Sequence, residues 1–328
     1  MPSRKSSNWA KRLCQRWGEP DASRFFDGNL VAFHGRRGDR GPSFDLMKVS
    51  VITPSHSQSD WLRLCVASVA DQGVDAEHII QDAGSKDGTL DWLTEDARVR
   101  AFAEPDKGMY DAVNRGLCRA QGDVLAYLNC DEQYLPGALG RVVDFFETNP
   151  SVDVLFGDVV AVDSRCEYLF HRKMLTPLKW HTWLCQLSTL TCGMFFRRRV
   201  IDEWEIFFDE NLRYVGDAEW VLRLLERGAR MATLGSFTSV FGCTGENLSH
   251  HEGARTEMAR GVRSPPAWVK LCRPAIVAHH RLRRLFGGAY SRVPFSFELY
   301  PMGQPERRVR RVVDRPTFRW DARTEAAR

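Results

Sequence analysis

The chain has 328 residues, 43% hydrophobic and 27% charged, with a formal net charge of +4. That balance excludes a disordered or fibrous chain and fits one large globular domain or two small ones. No apolar run approaches the ~20 residues of a spanning helix, and the N-terminus has no apolar signal core, because Lys11, Arg12 and Arg16 break the stretch from Trp9 to Trp17.

The charge is unevenly spread. Arg255 to Arg328 holds 17 Lys and Arg against 6 Asp and Glu, whereas the remainder holds 29 against 36. An acidic body with a basic tail points to an anionic partner for the tail, or to a solvated end. The nine cysteines include no C-x-x-C pair and no zinc-ligand spacing, so they read as free thiols in a reducing compartment. The expected location is the cytoplasm, or the inner face of a membrane.

In chain order, residues 1–47 read as an extension with one short helix near Trp9–Trp17. A strand is predicted over Val49–Thr53, closed by Pro54. Ser59 caps a helix whose Leu62, Cys65, Val66 and Val69 share a face. Glu77–Asp82 is a second strand, and the loop Ala83–Thr89 opens a helix over Leu90, Trp92 and Leu93. Val99–Ala103 is a third strand, 109–120 a helix with Met109, Val113, Gly116 and Leu117 inward, and Val124–Leu128 a fourth strand. Pro136 suits the first turn of the next helix, with Leu139, Val142, Val143 and Phe146 as its apolar face. Four alternations predict an α/β fold, a mainly parallel sheet with helices on both faces. Ligands of such sheets bind outside the carboxyl ends of the strands. After residue 150 the alternation ends. Strands are expected over Val152–Val162, Glu167–Lys173, Cys192–Phe196 and within Met231–Phe241, with a helix over Asp217–Arg227. This half reads as mixed structure on the same sheet, suited to an acceptor pocket.

Several polar residues stand at the predicted rim. Asp82 fits an Asx-turn or an acceptor for a nucleotide's base or ribose donors. Asp106 fits a helix cap. Asn114 and Gly116 are poor helix formers inside a helix, which points to a close approach there, and helix N-termini favour phosphate. Asn129, Asp131 and Glu132 close the fourth strand as a polar turn or as an oxygen-only cation site for magnesium, manganese or calcium. Asp217 opens a helix as a cap or as a general base. One of His250 and His251 could complete a metal shell or meet a diphosphate.

Taken together these pieces resemble the family-2 glycosyltransferases. The matching stretches are Val49–Pro54, Ile79–Thr89, Glu104–Gly116, Ala120–Asp123, Leu128–Glu132 and Gly216–Leu224, in family order over about residues 48–250. The resemblance implies a single Rossmann-like A-type glycosyltransferase domain with a mixed, mainly parallel central sheet. It also implies inverting transfer of a sugar from a nucleoside-diphosphate donor, a UDP-sugar, to a glycan or lipid-linked acceptor hydroxyl, in surface glycan or polysaccharide synthesis. On that resemblance Asp82 contacts the base, with Thr53 and Pro54 lining its pocket. Asp106, Asn114 and Asn129 lie near the donor, Asp131 and Glu132 form the motif for a manganese or magnesium ion, and Asp217 is the base. Two positions depart from the family pattern. Glu132 stands where Asp is usual, which leaves open which acid is the ligand, and Ala83 stands where Gly is usual.

The expected division is an extension at 1–47, a catalytic domain at 48–250 and a basic C-terminal helical extension at 251–328. In the last, apolar residues from Trp268 to Phe286 interleave with Lys270, Arg273, Arg281, Arg283 and Arg284. That mix suits a helix on an anionic membrane surface, although Pro274 is expected to break it, or a helix covering the core. Arg307–Arg311 reads as more of the same or as a flexible end. A nucleotidyltransferase would want a basic Gly-rich loop where Pro54-Ser55-His56-Ser57 stands, and a dinucleotide enzyme G-x-G-x-x-G. A degenerate transferase serving as a sugar-nucleotide binding or scaffold subunit rests on Glu132 alone. A nucleic-acid partner is not expected, since no recognition motif accompanies the arginines.

Overall fold

The computed structural model describes residues 47–185, 187–244, 257 and 265–319. The helix expected near Trp9–Trp17, nearly all of the N-terminal extension, and His250–His251 lie outside them.

The first half alternates as the sequence predicts. Strand β1 (Val49–Ser55) leads to α1 (Ser59–Ala70), β2 (Ala76–Asp82) to α2 (Thr89–Leu93), β3 (Arg100–Ala103) to α3 (Met109–Arg119), and β4 (Val124–Tyr127) through the short β5 (Gln133–Tyr134) to α4 (Ala138–Thr148). Then come β6 (Val154–Asp163), β7 (Tyr168–Arg172), α5 (Lys179–Cys185), β8 (Met194–Arg197), α6 (Arg199–Asp202), α7 (Gly216–Arg227) and β9 (Met231–Cys243). The tail adds α8 (Ala267–Leu271), α9 (Arg273–Phe286), β10 (Phe295–Leu299) and β11 (Val309–Val313). Pro136 precedes α4 rather than lying in its first turn, because Gly137 takes the left-handed N-cap position at φ 65°.

The main sheet runs β3-β2-β1-β4-β8-β6-β9-β5, with β7 beside β6. The first four strands are parallel, β8 is antiparallel to both neighbours, and β6–β9 is again parallel. Neighbouring residues of β1 show why both faces are covered, since successive strand side chains point oppositely. Ile52 lies under Gly116 of α3, where any Cβ would overlap its Cγ2, while Thr53 meets Cys65 of α1. The close approach that Gly116 signals is therefore helix against strand.

The register aligns the carboxyl ends: Ser55 pairs with Asp82, Asp82 with Ala103, and Ile52 with Tyr127. The Ala83 amide donates to Ser55 O at 2.9 Å, and that of Leu128 to Ile52 O at 2.9 Å, so the loops after β1, β2 and β4 leave from one rim.

The tail corrects an expectation. Arg307–Arg311 is no flexible end: Val309–Val313 pairs with Phe295–Leu299 as an antiparallel hairpin. Phe297, Leu299 and Val313 pack with Leu64, Ala67 and Val160 in a second apolar cluster. Arg308 grips Asp71 at 2.5 and 2.7 Å, and Gln133 exchanges two 2.9 Å hydrogen bonds with the Tyr300 backbone. Pro274 does not break its helix either, because it sits in the first turn of α9, where no N–H is needed.

Candidate functional site

The rim is built one loop at a time. Asp82 is fully buried at the end of β2. Its Oδ1 accepts from the Gly84 and Ser85 amides at 2.9 and 2.7 Å, and its Oδ2 from the Ser85 hydroxyl at 2.7 Å. The Ser57 amide donates to Ser85 Oγ at 2.7 Å, so this carboxylate orders the loops after both β1 and β2. Thr53 turns inward, its hydroxyl 2.8 Å from His78 Nε2 and 3.6 Å from Cys65 Sγ, and Pro54 is buried beside it. Burial pushes His78 down to about 3, so its ring is neutral.

The entry to α3 needs a sharp turn. Gly108 has φ 133°, a left-handed conformation that favours glycine, and its amide donates to Asp106 Oδ1 at 2.8 Å. Burial raises the Asp106 carboxyl, and nearby Asp111 adds to the rise. Asp111 also takes the Lys107 amide at 2.9 Å and pairs with Arg115 at 2.6 Å. Arg115 and Arg119 both reach Glu104, which ties α3 to the strand ends. Asn114 lies deeper, 2% exposed. Its Nδ2 donates to Phe208 O at 2.8 Å and its Oδ1 accepts from Phe208 N at 2.9 Å. The amide is thus wholly engaged in docking the segment before α7, and the structure does not bring it to the rim surface.

After β4 the two adjacent acids part ways. Glu132 is fully buried; its Oε2 accepts the Asn129 amide at 2.8 Å, and the Glu132 amide donates back to Asn129 O at 3.0 Å. This reciprocal pair closes a tight turn, and Oε1 has no hydrogen-bond partner. Asp131 keeps partial exposure at the head of the turn. Gly242 of β9 backs against its carbonyl, where a Cβ would overlap that oxygen. Both carboxyls are raised, by burial first and, at Glu132, by the neighbouring Asp131 charge. Among the described residues no three His, Cys, Asp or Glu side chains form a metal cluster. A partly exposed carboxylate with no ion-pair partner among the described residues fits an ion completed by substrate oxygens, as magnesium and manganese sites often are.

Asp217 begins the first turn of α7. Its Oδ1 accepts the Ala218 amide at 2.8 Å, its own amide donates to the Tyr110 hydroxyl at 3.1 Å, and burial pushes its carboxyl up to about 6. Gly216 is required here, since a Cβ would come within 2.5 Å of the Tyr110 ring. Tyr110 stacks on Phe208, 5.4 Å between ring centres, and Tyr127 meets the same ring edge-on. Burial raises the Tyr127 hydroxyl, and the charges of Asp217 and Glu132 add to the rise.

Sequence reasoning did not find two contributors. Tyr110 was visible only as part of a motif, and its role depends on α3 meeting α7. Glu257 accepts from the successive amides of Arg213, Tyr214 and Val215, at 2.7 Å for Arg213 and 3.0 Å for Val215, holding the approach to Asp217. No local pattern announces a carboxylate that reaches a nest more than forty residues away.

The mixed, mostly parallel sheet thus carries Asp82, Asp131 and Glu132 at the ends of its parallel strands. Residues 50–204 match the model of glycosyl transferase family 2. An uncharacterized glycosyltransferase from Nostoc sp. is 31% identical over 115 residues, 33% of this chain and 36% of that protein. A PGL/p-HBAD biosynthesis glycosyltransferase from Mycobacterium tuberculosis is 35% identical over 118 residues, 34% of this chain and 46% of that one. The chain therefore spans less than half the length of these relatives. Crystal structures of TarS from S. aureus share the fold. One TarS structure aligns at TM-score 0.52 and 18% identity, over 75% of this chain and 44% of that one. A 1–349 fragment in complex with UDP-GlcNAc gives 0.51 at 18% identity, over 75% of this chain and 74% of that one. Residues 50–204 are thus similar to the family-2 glycosyltransferases, and the chain has the GT-A-like fold seen in TarS.

Proposed function

We propose that the protein is an inverting glycosyltransferase that moves a sugar from a UDP-sugar to a hydroxyl of a glycan or lipid-linked acceptor, in surface glycan synthesis. The observation that carries this reading is Asp217. It stands at the head of α7, its amide held by the Tyr110 hydroxyl of α3, beside the Phe208 ring that Tyr110 and Tyr127 both meet, and burial raises its carboxyl to about 6. Its value suits a group that must be ionised near neutrality yet retain appetite for a proton. The UDP bound by TarS supports a uridine donor.

In this reading the loop ordered by Asp82 receives the base, with Pro54 at the pocket wall. Thr53 supports the pocket from inside, Asn114 docks the segment before α7, and Asp106 and Asn129 border the donor. Asp131 would hold a manganese or magnesium ion, while Glu132 keeps the turn that presents it. The ion supplies positive charge to the leaving diphosphate. Asp217 takes the proton of the acceptor hydroxyl as its oxygen bonds to the anomeric carbon and the bond from that carbon to the diphosphate oxygen breaks. Tyr110 fixes the Asp217 backbone. One attack from the face opposite the diphosphate inverts the anomeric centre, with no enzyme nucleophile.

Thermal-shift titration with UDP and several UDP-sugars, with and without manganese, tests the donor site. Metal-dependent stabilisation is expected. Its absence with every nucleoside diphosphate would overturn the assignment, and a product retaining the donor's anomeric configuration would overturn the single displacement.

A further inference from the structure

No helix among the described residues is long and apolar enough to cross a membrane, yet the molecule carries a large apolar stripe facing outward. In α8 and α9, Val269, Ile276, His280 and Arg283 turn toward the body. Val269 is fully buried, Ile276 is 2% exposed, and Arg283 donates to Thr176 O at 2.8 Å. The opposite side of α9 runs Ala275, Ala278, Leu282 and Leu285, at spacings of three, four and three, with Leu271 exposed at the end of α8. The α9 positions recur on one helical face. Leu271 is 83% exposed, Phe286 beside Leu285 is 85% exposed, and Trp268 is 53% exposed. Scattered apolar residues on a surface are ordinary, but a contiguous row at helical spacing marks an interaction surface.

The charges choose the partner. Between residues 265 and 293 there are six Lys and Arg and no Asp or Glu. Lys270, Arg273, Arg281 and Arg292 are exposed around the stripe. A second copy of the chain docking here would set cations against cations. Trp268 and Trp180 sit 6.5 Å apart at the edge of the same face, and amphipathic indole rings favour the level of lipid headgroups.

We infer that the outer face of α8 and α9 lies in the surface of an anionic lipid bilayer, with Leu271, Leu282, Leu285 and Phe286 among the acyl chains and the basic residues at the headgroups. The inference does not depend on the reaction proposed above. It does orient the molecule: α9 packs on α5, and α5 on α7, which carries Asp217.

The test is flotation of the full chain with phosphatidylcholine vesicles and with vesicles containing a quarter phosphatidylglycerol. The unaltered protein should float with the anionic vesicles, lose binding as salt rises, and ignore pure phosphatidylcholine. A triple variant, Leu282→Gln, Leu285→Gln and Phe286→Gln, should lose at least about tenfold in partitioning at an unchanged melting temperature. A second variant, Lys270→Gln, Arg273→Gln and Arg281→Gln, changes only exposed side chains and should lose roughly two orders of magnitude on anionic vesicles. Failure of the unaltered protein to float, or flotation of the apolar triple variant at the unaltered level, overturns the inference. So does a dimer in sedimentation that this variant converts to monomer without any vesicle binding. A steep fall in melting temperature in that variant also overturns it, since the stripe would then be covered by the chain itself.

Discussion

Replacing Asp217 by Asn should do two opposite things. The carboxyl titrates at about 6 in the folded chain against 3.8 when free, and burial is the main cause. At 1.36 kcal/mol per unit, ionising it in place costs about 3 kcal/mol more than in the unfolded chain. The folded value is the raised one. The contribution of this group to stability is therefore fully present below the unfolded value and is lost as pH rises through about 6. Asn keeps the shape and the oxygen that accepts the Ala218 amide, but never ionises. The variant should thus be more stable than the parent by up to about 3 kcal/mol at pH 7.5 and by only about 1 kcal/mol at pH 4.5. These are upper bounds, because Asp217 keeps some contact with water. Urea denaturation at the two pH values reads the difference directly. Transfer should fall about 10²–10⁴-fold in the same variant, and the parent's kcat/KM should drop tenfold per pH unit below about 6. Equal stabilisation at both pH values, or a parent rate flat from pH 5 to 7, would refute the link between burial of this carboxyl and its use as a base.

The other residues separate by role. Asp131→Asn should abolish stabilisation by manganese plus UDP, whereas Glu132→Gln, which keeps an oxygen for the Asn129 amide, should retain most of it; the reverse order in thermal shift would make Glu132 the ligand. Asn114→Ala strands the Phe208 amide and carbonyl, so unfolding free energy should fall by about 2–4 kcal/mol with donor KM little changed. Glu257→Ala removes the acceptor of three amides next to Asp217, and kcat/KM should fall roughly tenfold by loss of positioning while the melting temperature moves little.

The first half of the fold was legible because its signals are local. Short apolar runs closing at Pro54, Asp82 and Leu128 mark strands, and Leu62, Cys65, Val66 and Val69 mark the helix between two of them. The candidate acids were legible as residues but not as partners. Asp131 and Glu132 are equivalent in sequence, and only the Asn129 turn shows that one faces inward. Asn114 looks like a ligand residue because an amide inside a helix is unusual, yet its partner Phe208 lies 94 residues away. The tail failed for a similar reason. Arg307–Arg311 is rich in charge, so composition argued for solvent, but Arg308 finds Asp71 across 237 residues and the hairpin forms on a cluster composition cannot foresee.

The acids of the rim act together in a way none shows alone. Asp106, Asp131, Glu132 and Asp217 are all raised, each chiefly by burial. The nearby arginines, Arg115 and Arg119, are committed to Asp111 and Glu104. A diphosphate approaching such a rim meets repulsion, since like charges in a poorly solvated site oppose one another. The base pocket has no such conflict. Uridine should therefore bind equally well with manganese or with a chelator, while UDP should bind tightly with manganese and no better than uridine without it. Calorimetric titration of the two ligands under both conditions measures the coupling. Metal-independent binding of UDP, tighter than that of uridine, would mean that cationic side chains receive the diphosphate, and would remove the cation-holding role proposed for the acidic turn after β4.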